Sequence, residues 1–214
     1  MEAVISGLFG TEPEALPFAP SLEVRAFLLQ RPQGNVLVYS APTVASEAPA
    51  IEKLGGVSHQ YLNHWHETLL GCVSDVIGAP LLVHENDRAQ AADRCEVDET
   101  FSDRDVLDGD FELIPIPGHT PGATAFIWDS GEHRALFTGD SIYLRDGEWV
   151  AAVLESSDRE RYVDSLELLR EIDFDLLVPW AATGGHPFYA ETDKADARRR
   201  IDAILERVRR GEDH

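Results

Sequence analysis

The residues most able to do chemistry lie in Asn63-His64-Trp65-His66-Glu67-Thr68-Leu69, where two imidazoles stand two positions apart after an apolar lead-in. A third imidazole sits in Pro117-Gly118-His119-Thr120-Pro121-Gly122, and a carboxylate closes Thr138-Gly139-Asp140. Side chains at i and i+2 of an extended segment share a side, so both rings of the first stretch can reach one ion. The glycines of the second stretch let the chain turn tightly and bring its ring inward. Three imidazoles, completed by Asp140 or a water, make an acceptable tetrahedral zinc set. Iron and manganese stay open as alternatives, although several imidazoles favour zinc or iron.

The neighbouring candidates each carry two readings. Glu67 is either a general base beside a bound metal or one more solvated acid. Asp140 is a metal ligand, or a group that holds the attacking water or orients a ligand histidine. His186 follows Thr183-Gly184-Gly185 and precedes Pro187, so it is a further ligand on a flexible segment or a surface-loop histidine. His59 reads as core or mouth of the site, and His84 as structural or exposed. Trp65 should project away from its flanking histidines and pack. Thr68 suits a helix cap, and Cys72 reads as a small buried hydrophobe.

These residues need strands that end together. Strand character appears over 23–29 and 36–39 across the turn at 31–35, then at 57–63, 80–84 and 111–116. A hairpin is expected over 123–128 and 134–138, a further strand or an irregular apolar segment over 149–154, and strand character again over 173–178. Short helices are expected over 50–54 and 71–77, a helix or turn over 85–94, and a polar, turn-rich stretch over 100–110. The segment 160–172 puts Val163, Leu166, Leu169 and Ile172 on one helical face. A last helix, capped by Asp193, carries Ala197, Ile201, Ile204, Leu205 and Val208 as its apolar stripe and stops at Gly211. Strands followed by helices, with no repeat and no linker, predict one α/β domain over residues 1–214.

Composition narrows the function. The chain has 214 residues, 43% of them hydrophobic, enough for a well-filled core. Its 18 Lys and Arg face 39 Asp and Glu, a formal charge of −21. Phosphate backbones are bound by clustered cations, so nucleic acid is not an expected partner. No apolar run reaches the roughly 18 residues of a membrane span, and the first ten residues lack the basic start of a secretory signal. A cytoplasmic protein is expected, monomeric or homodimeric. The acid excess is similar to that of cytoplasmic proteins from salt-accumulating archaea, whose surfaces salt must screen. Two cysteines do not make a disulfide scaffold.

The chain resembles the metallo-β-lactamase-fold hydrolases from its first hairpin to about residue 186. The family motif His-x-His-x-Asp-His falls on His64-Trp65-His66-Glu67-Thr68-Leu69. The family's Gly-His-Thr-Pro-Gly loop is matched at His119, and its Gly-Asp element at Gly139-Asp140. The resemblance implies an αββα sandwich of two mixed sheets flanked by helices. It also implies a first metal held by His64, His66 and His119. The second metal of relatives is not supported, because the family Asp and His fall on Thr68 and Leu69, and the terminal His falls on Ala181. The expected function is a one-metal hydrolase acting on an ester, thioester, lactone or amide. The alternative is a non-catalytic binding or regulatory protein on the same fold.

Overall fold

The computed structural model describes residues 1–214. They divide into two compact units, Met1–Ser102 and Asp103–His214.

The first unit is built on a seven-stranded mixed sheet. In spatial order its strands are Glu2–Ile5, Leu8–Gly10, Phe27–Leu29, Val36–Val38, His59–Tyr61, Leu81–His84 and Glu99–Phe101. The first four pair antiparallel and the last four parallel. Parallel neighbours need a crossover, and the helix Val44–Lys53 supplies the one between Val36–Val38 and His59–Tyr61. That helix starts earlier than the sequence suggests and keeps Pro49 inside it. The expected strand over 23–29 is two strands, Ala19–Val24 and Phe27–Leu29, the former paired with Glu14–Leu16. The turn-rich reading of 100–110 holds only in part, at 108–110, where Asp108 and Gly109 turn the chain with φ 54° and 84°. Glu99–Phe101 ends this sheet, and Asp105–Leu107 begins the sheet of the second unit.

The second unit holds a six-stranded mixed sheet in the order Asp105–Leu107, Phe111–Pro115, Thr124–Asp129, Arg134–Phe137, Leu176–Leu177, Ala190–Glu191. The expected hairpin is present, with Phe126 opposite Phe137 and Asp129 opposite Arg134. A smaller ribbon pairs Tyr143–Arg145 with Glu148–Val150 and, in parallel, with Ala181–Thr183. The helices Arg159–Glu171 and Lys194–Arg209 close over Ile114, Ile127, Leu136 and Leu177 through Leu166, Leu169, Ile201, Ile204 and Leu205, all buried. The 3.6-residue apolar stripe of the last helix is thus a core face. Asp193 caps that helix, accepting from the amides of Ala195 and Asp196 at 2.9 Å each. Two mixed sheets with helices give the α/β class expected from the sequence. No helix is long and apolar enough to cross a membrane.

Candidate metal centre

The strand His59–Tyr61 delivers the chain to the first two histidines. His64 is still extended, with φ −158° and ψ 161°, and Trp65 opens a 3-10 turn that runs to Leu70. Strand alternation is therefore not what puts the two imidazoles together. The change from extended to 3-10 backbone does it, and the rings meet edge to face with centroids 5.2 Å apart. Trp65 packs against the cluster of Leu62, Leu81 and Val83 as expected, but it does not project away from both flanking histidines, since its ring centroid lies 4.1 Å from that of His66. Thr68 turns its hydroxyl back onto the Trp65 carbonyl at 2.8 Å, stabilising the 3-10 turn rather than capping the next helix.

Glu67 is not a solvated acid. Its side chain is 0% exposed, and its oxygens collect two amides at the entry to the 3-10 turn and one from Ser40. Oε2 accepts from Ser40 N at 2.8 Å, and Oε1 from Asn63 N at 2.8 Å and His64 N at 3.2 Å. Oε1 also lies 3.3 Å from Nδ1 of His64. Burial pushes the carboxyl up from its ordinary value, while the hydrogen bonding and charge of His64 and the amides of Ser40 and Asn63 pull it down.

Cys72 is also not the free thiol expected. It forms a disulfide with Cys95, at a Cα–Cα distance of 5.3 Å, within the span such bonds require. The sequence separation of 23 residues hid the pair. His84 is buried and structural: Nδ1 accepts from Asn86 N at 3.1 Å, which leaves Nε2 to donate to Ser102 O at 3.0 Å. His59 is exposed.

His119 stands on the loop after Phe111–Pro115, and the helix Arg159–Glu171 clamps that loop. Gly118 has φ 145°, and a Cβ there would lie 2.5 Å from the Tyr162 Cα; only glycine allows this approach. The Gly118 carbonyl accepts from Asp158 N at 2.9 Å, Ser157 Oγ donates to His119 O at 3.1 Å, and Ser165 Oγ donates to Pro117 O at 2.7 Å. The ring of His119 is 2% exposed as a residue, and its Nδ1 donates to Ala152 O at 2.7 Å. A carbonyl can only accept, so Nε2 keeps its lone pair. Asp140 lies 3.8 Å from that nitrogen through Oδ2. Its backbone carbonyl accepts from Ala152 N at 3.3 Å and from the Tyr162 hydroxyl at 3.3 Å.

His64, His66 and His119 form a potential metal-binding triad, each ring offering one nitrogen, with these nitrogens within 4.8 Å of one another. Asp140 is not part of that triad but stands beside His119. His186 is about half-exposed, on the turn after Ala181–Thr183, with Nε2 3.8 Å from Asp146 Oδ1. Leu69 is exposed and Ala181 buried; neither has a donor atom. The donor set fits a single small cation. It is nitrogen-rich, and one ring is already fixed in the tautomer a ligand needs. Sequence reasoning missed the Ala152 carbonyl and Tyr162, whose roles rest on backbone position. The glycine before His119 was their only trace.

The model of the metallo-beta-lactamase superfamily matches residues 45–181. A search of curated proteins finds no match. Among solved structures, the chain is similar to the DIM-1 metallo-beta-lactamase exposed to ceftazidime, at 16% identity and a TM-score of 0.74, covering 96% of this chain and 95% of that one. It is similar to a metallo-beta-lactamase from Pontibacter korlensis, at 17% identity and a TM-score of 0.71, covering 97% of each chain. It is also similar to ETHE1 from Myxococcus xanthus, at 17% identity and a TM-score of 0.63, covering 86% and 80%. Identities this low speak for the fold alone.

Proposed function

The chain belongs to the metallo-beta-lactamase superfamily and has its fold of two mixed β-sheets flanked by helices, and we propose that it is a hydrolase working with one metal ion, zinc, held by His64, His66 and His119. The single observation that carries this reading is the approach of the three ring nitrogens to within 4.8 Å of one another. A zinc ion so held supplies a Lewis acid that activates water and polarises a carbonyl oxygen. The chain's own residues do the rest. The Ala152 carbonyl and the clamped loop hold the His119 ring. Asp140 Oδ2, partly exposed and 3.8 Å from His119 Nε2, is the carboxylate placed to hold a proton taken from water. The substrate class is an ester, thioester, lactone or amide.

A single metal is the reading because the second family position has lost its donors at Leu69 and Ala181. We assign neither His186, which faces Asp146, nor the buried Glu67 to proton transfer. The acid excess supports placement in the cytoplasm of a salt-accumulating cell.

The test is metal analysis of protein purified without chelators, followed by assay against acyl substrates. About one zinc per chain, lost together with hydrolysis on chelation and restored by zinc, is the expected result. Metal bound without hydrolysis of any acyl class would favour the binding or regulatory alternative. Protein that takes up no added zinc would overturn the reading.

A further inference from the structure

The carboxylate of Glu67 has no access to solvent, yet it sits inside the segment that carries two candidate ligands. Burying such a group is costly unless its lone pairs are used. Three are used by backbone amides: Ser40 on Oε2, Asn63 and His64 on Oε1. The Ser40 amide is presented by an unusual backbone, since Tyr39 just before it has φ 69°. A side chain adopts that region at a cost, so the chain accepts strain where it meets this carboxylate. Nδ1 of His64 lies 3.3 Å from Oε1, just beyond the ordinary N–H···O range, and the same ring also faces the Glu67 amide, which closes a capping box onto it.

We propose that Glu67 is a positioning residue for His64: its Oε1 takes the Nδ1 hydrogen, fixes the ring in one tautomer and plane, and leaves Nε2 as the lone pair that faces the cation. The consequence for metal affinity rests on the one-metal reading above; the tautomer itself does not. His119 is held in the same sense by the Ala152 carbonyl. The centre would therefore have two rings pre-set through Nδ1, one by a neutral acceptor and one by a carboxylate. A carboxylate behind a ligand imidazole raises its basicity and restricts its swing. The alternative is that the His64 ring accepts from the Glu67 amide in the capping box, with its hydrogen on Nε2, and that Glu67 only ties down the turn through the three amides. The two differ in what they demand of the His64 ring.

Long-range nitrogen–proton NMR on the metal-free wild-type protein reads the His64 tautomer directly and needs no substitution. Hydrogen on Nδ1 is expected; hydrogen on Nε2 overturns the proposal. Zinc affinity is then measured by competition with a chromophoric chelator for wild type, Glu67→Gln and Glu67→Asp, with circular dichroism on each. Gln keeps the volume and one neutral acceptor, so a folded Glu67→Gln protein should bind zinc about 10–100-fold more weakly. Unchanged affinity in a folded variant overturns the proposal. If Glu67→Gln does not fold, the wild-type tautomer and Glu67→Asp decide. Should wild type bind no zinc, the one-metal reading falls, while the tautomer measurement still decides the Glu67–His64 relationship.

Discussion

His119 Nδ1 donates to the carbonyl oxygen of Ala152 across 2.7 Å, so the ring's other nitrogen is the one available to a cation. Replacing His119 with Ala should reduce bound zinc from about one equivalent to near zero. The fold should persist, because the clamp on this loop runs through the backbone and Ser157, Asp158 and Ser165. Metal content by mass spectrometry and a thermal melt on the same sample check both halves. Full zinc retention would remove His119 from the ligand set.

Gly118 is where the loop presses on Tyr162. A methyl group there would stand 2.5 Å from Tyr162 Cα and 2.6 Å from its N, on a backbone with φ 145°. Neither backbone can yield cheaply. Gly118→Ala should lose about 2–5 kcal/mol of stability through strain and overpacking together. Urea unfolding followed by tryptophan fluorescence gives the value, and a loss below about 0.5 kcal/mol would mean that the loop moves freely off the helix.

Asp196, in the first turn of the last helix, carries a pH dependence. Hydrogen bonding from Arg200, at 2.7 Å, and then from Arg199 holds its carboxyl below the ordinary value. A lowered pKa contributes stability that is present above the unfolded-state value and is lost as pH falls through the folded-state value. Asp196→Asn should therefore flatten the acid limb of the stability curve and leave the alkaline limb unchanged. The group is close to solvent, so the effect is a few tenths of a kcal/mol, about that of a helical ion pair. Melts between neutral and acid pH read it.

The charge of −21 makes a prediction about salt. Raising potassium chloride from low to molar concentration screens acid–acid repulsion. If that relieves about 2 kcal/mol, the melting temperature should rise by roughly 4–8 °C for a chain of this size. A flat or falling curve would remove the basis for placing the protein in a salt-rich cytoplasm.

Much of the site was legible because its chemistry is local. His-x-His and the glycine-flanked His119 name their ligands through residue type and spacing, and the apolar stripe ending at Val208 is a core face as its period predicts. What escaped depended on partners distant in sequence or on backbone. Glu67 reads as one acid among 39, and nothing in the string says that three amides converge on it. Asp105–Leu107 is polar enough to pass for a turn, because it is an edge strand whose side chains are exposed or half-exposed. The expectation that strand alternation aligns His64 and His66 reached the right pair through the wrong backbone, since Trp65 begins a 3-10 turn.

Cys72 lies two residues past the 3-10 turn that bears His66, and it is tied to Cys95. Thiol reagents added routinely to bacterial lysates attack such a bond, and dithiols also strip zinc from imidazoles. A preparation made with them would lose a staple and a cation in one step, and its inactivity would carry no information about which mattered. Phosphine reductants, titrated against the free-thiol count, let the two losses be produced one at a time.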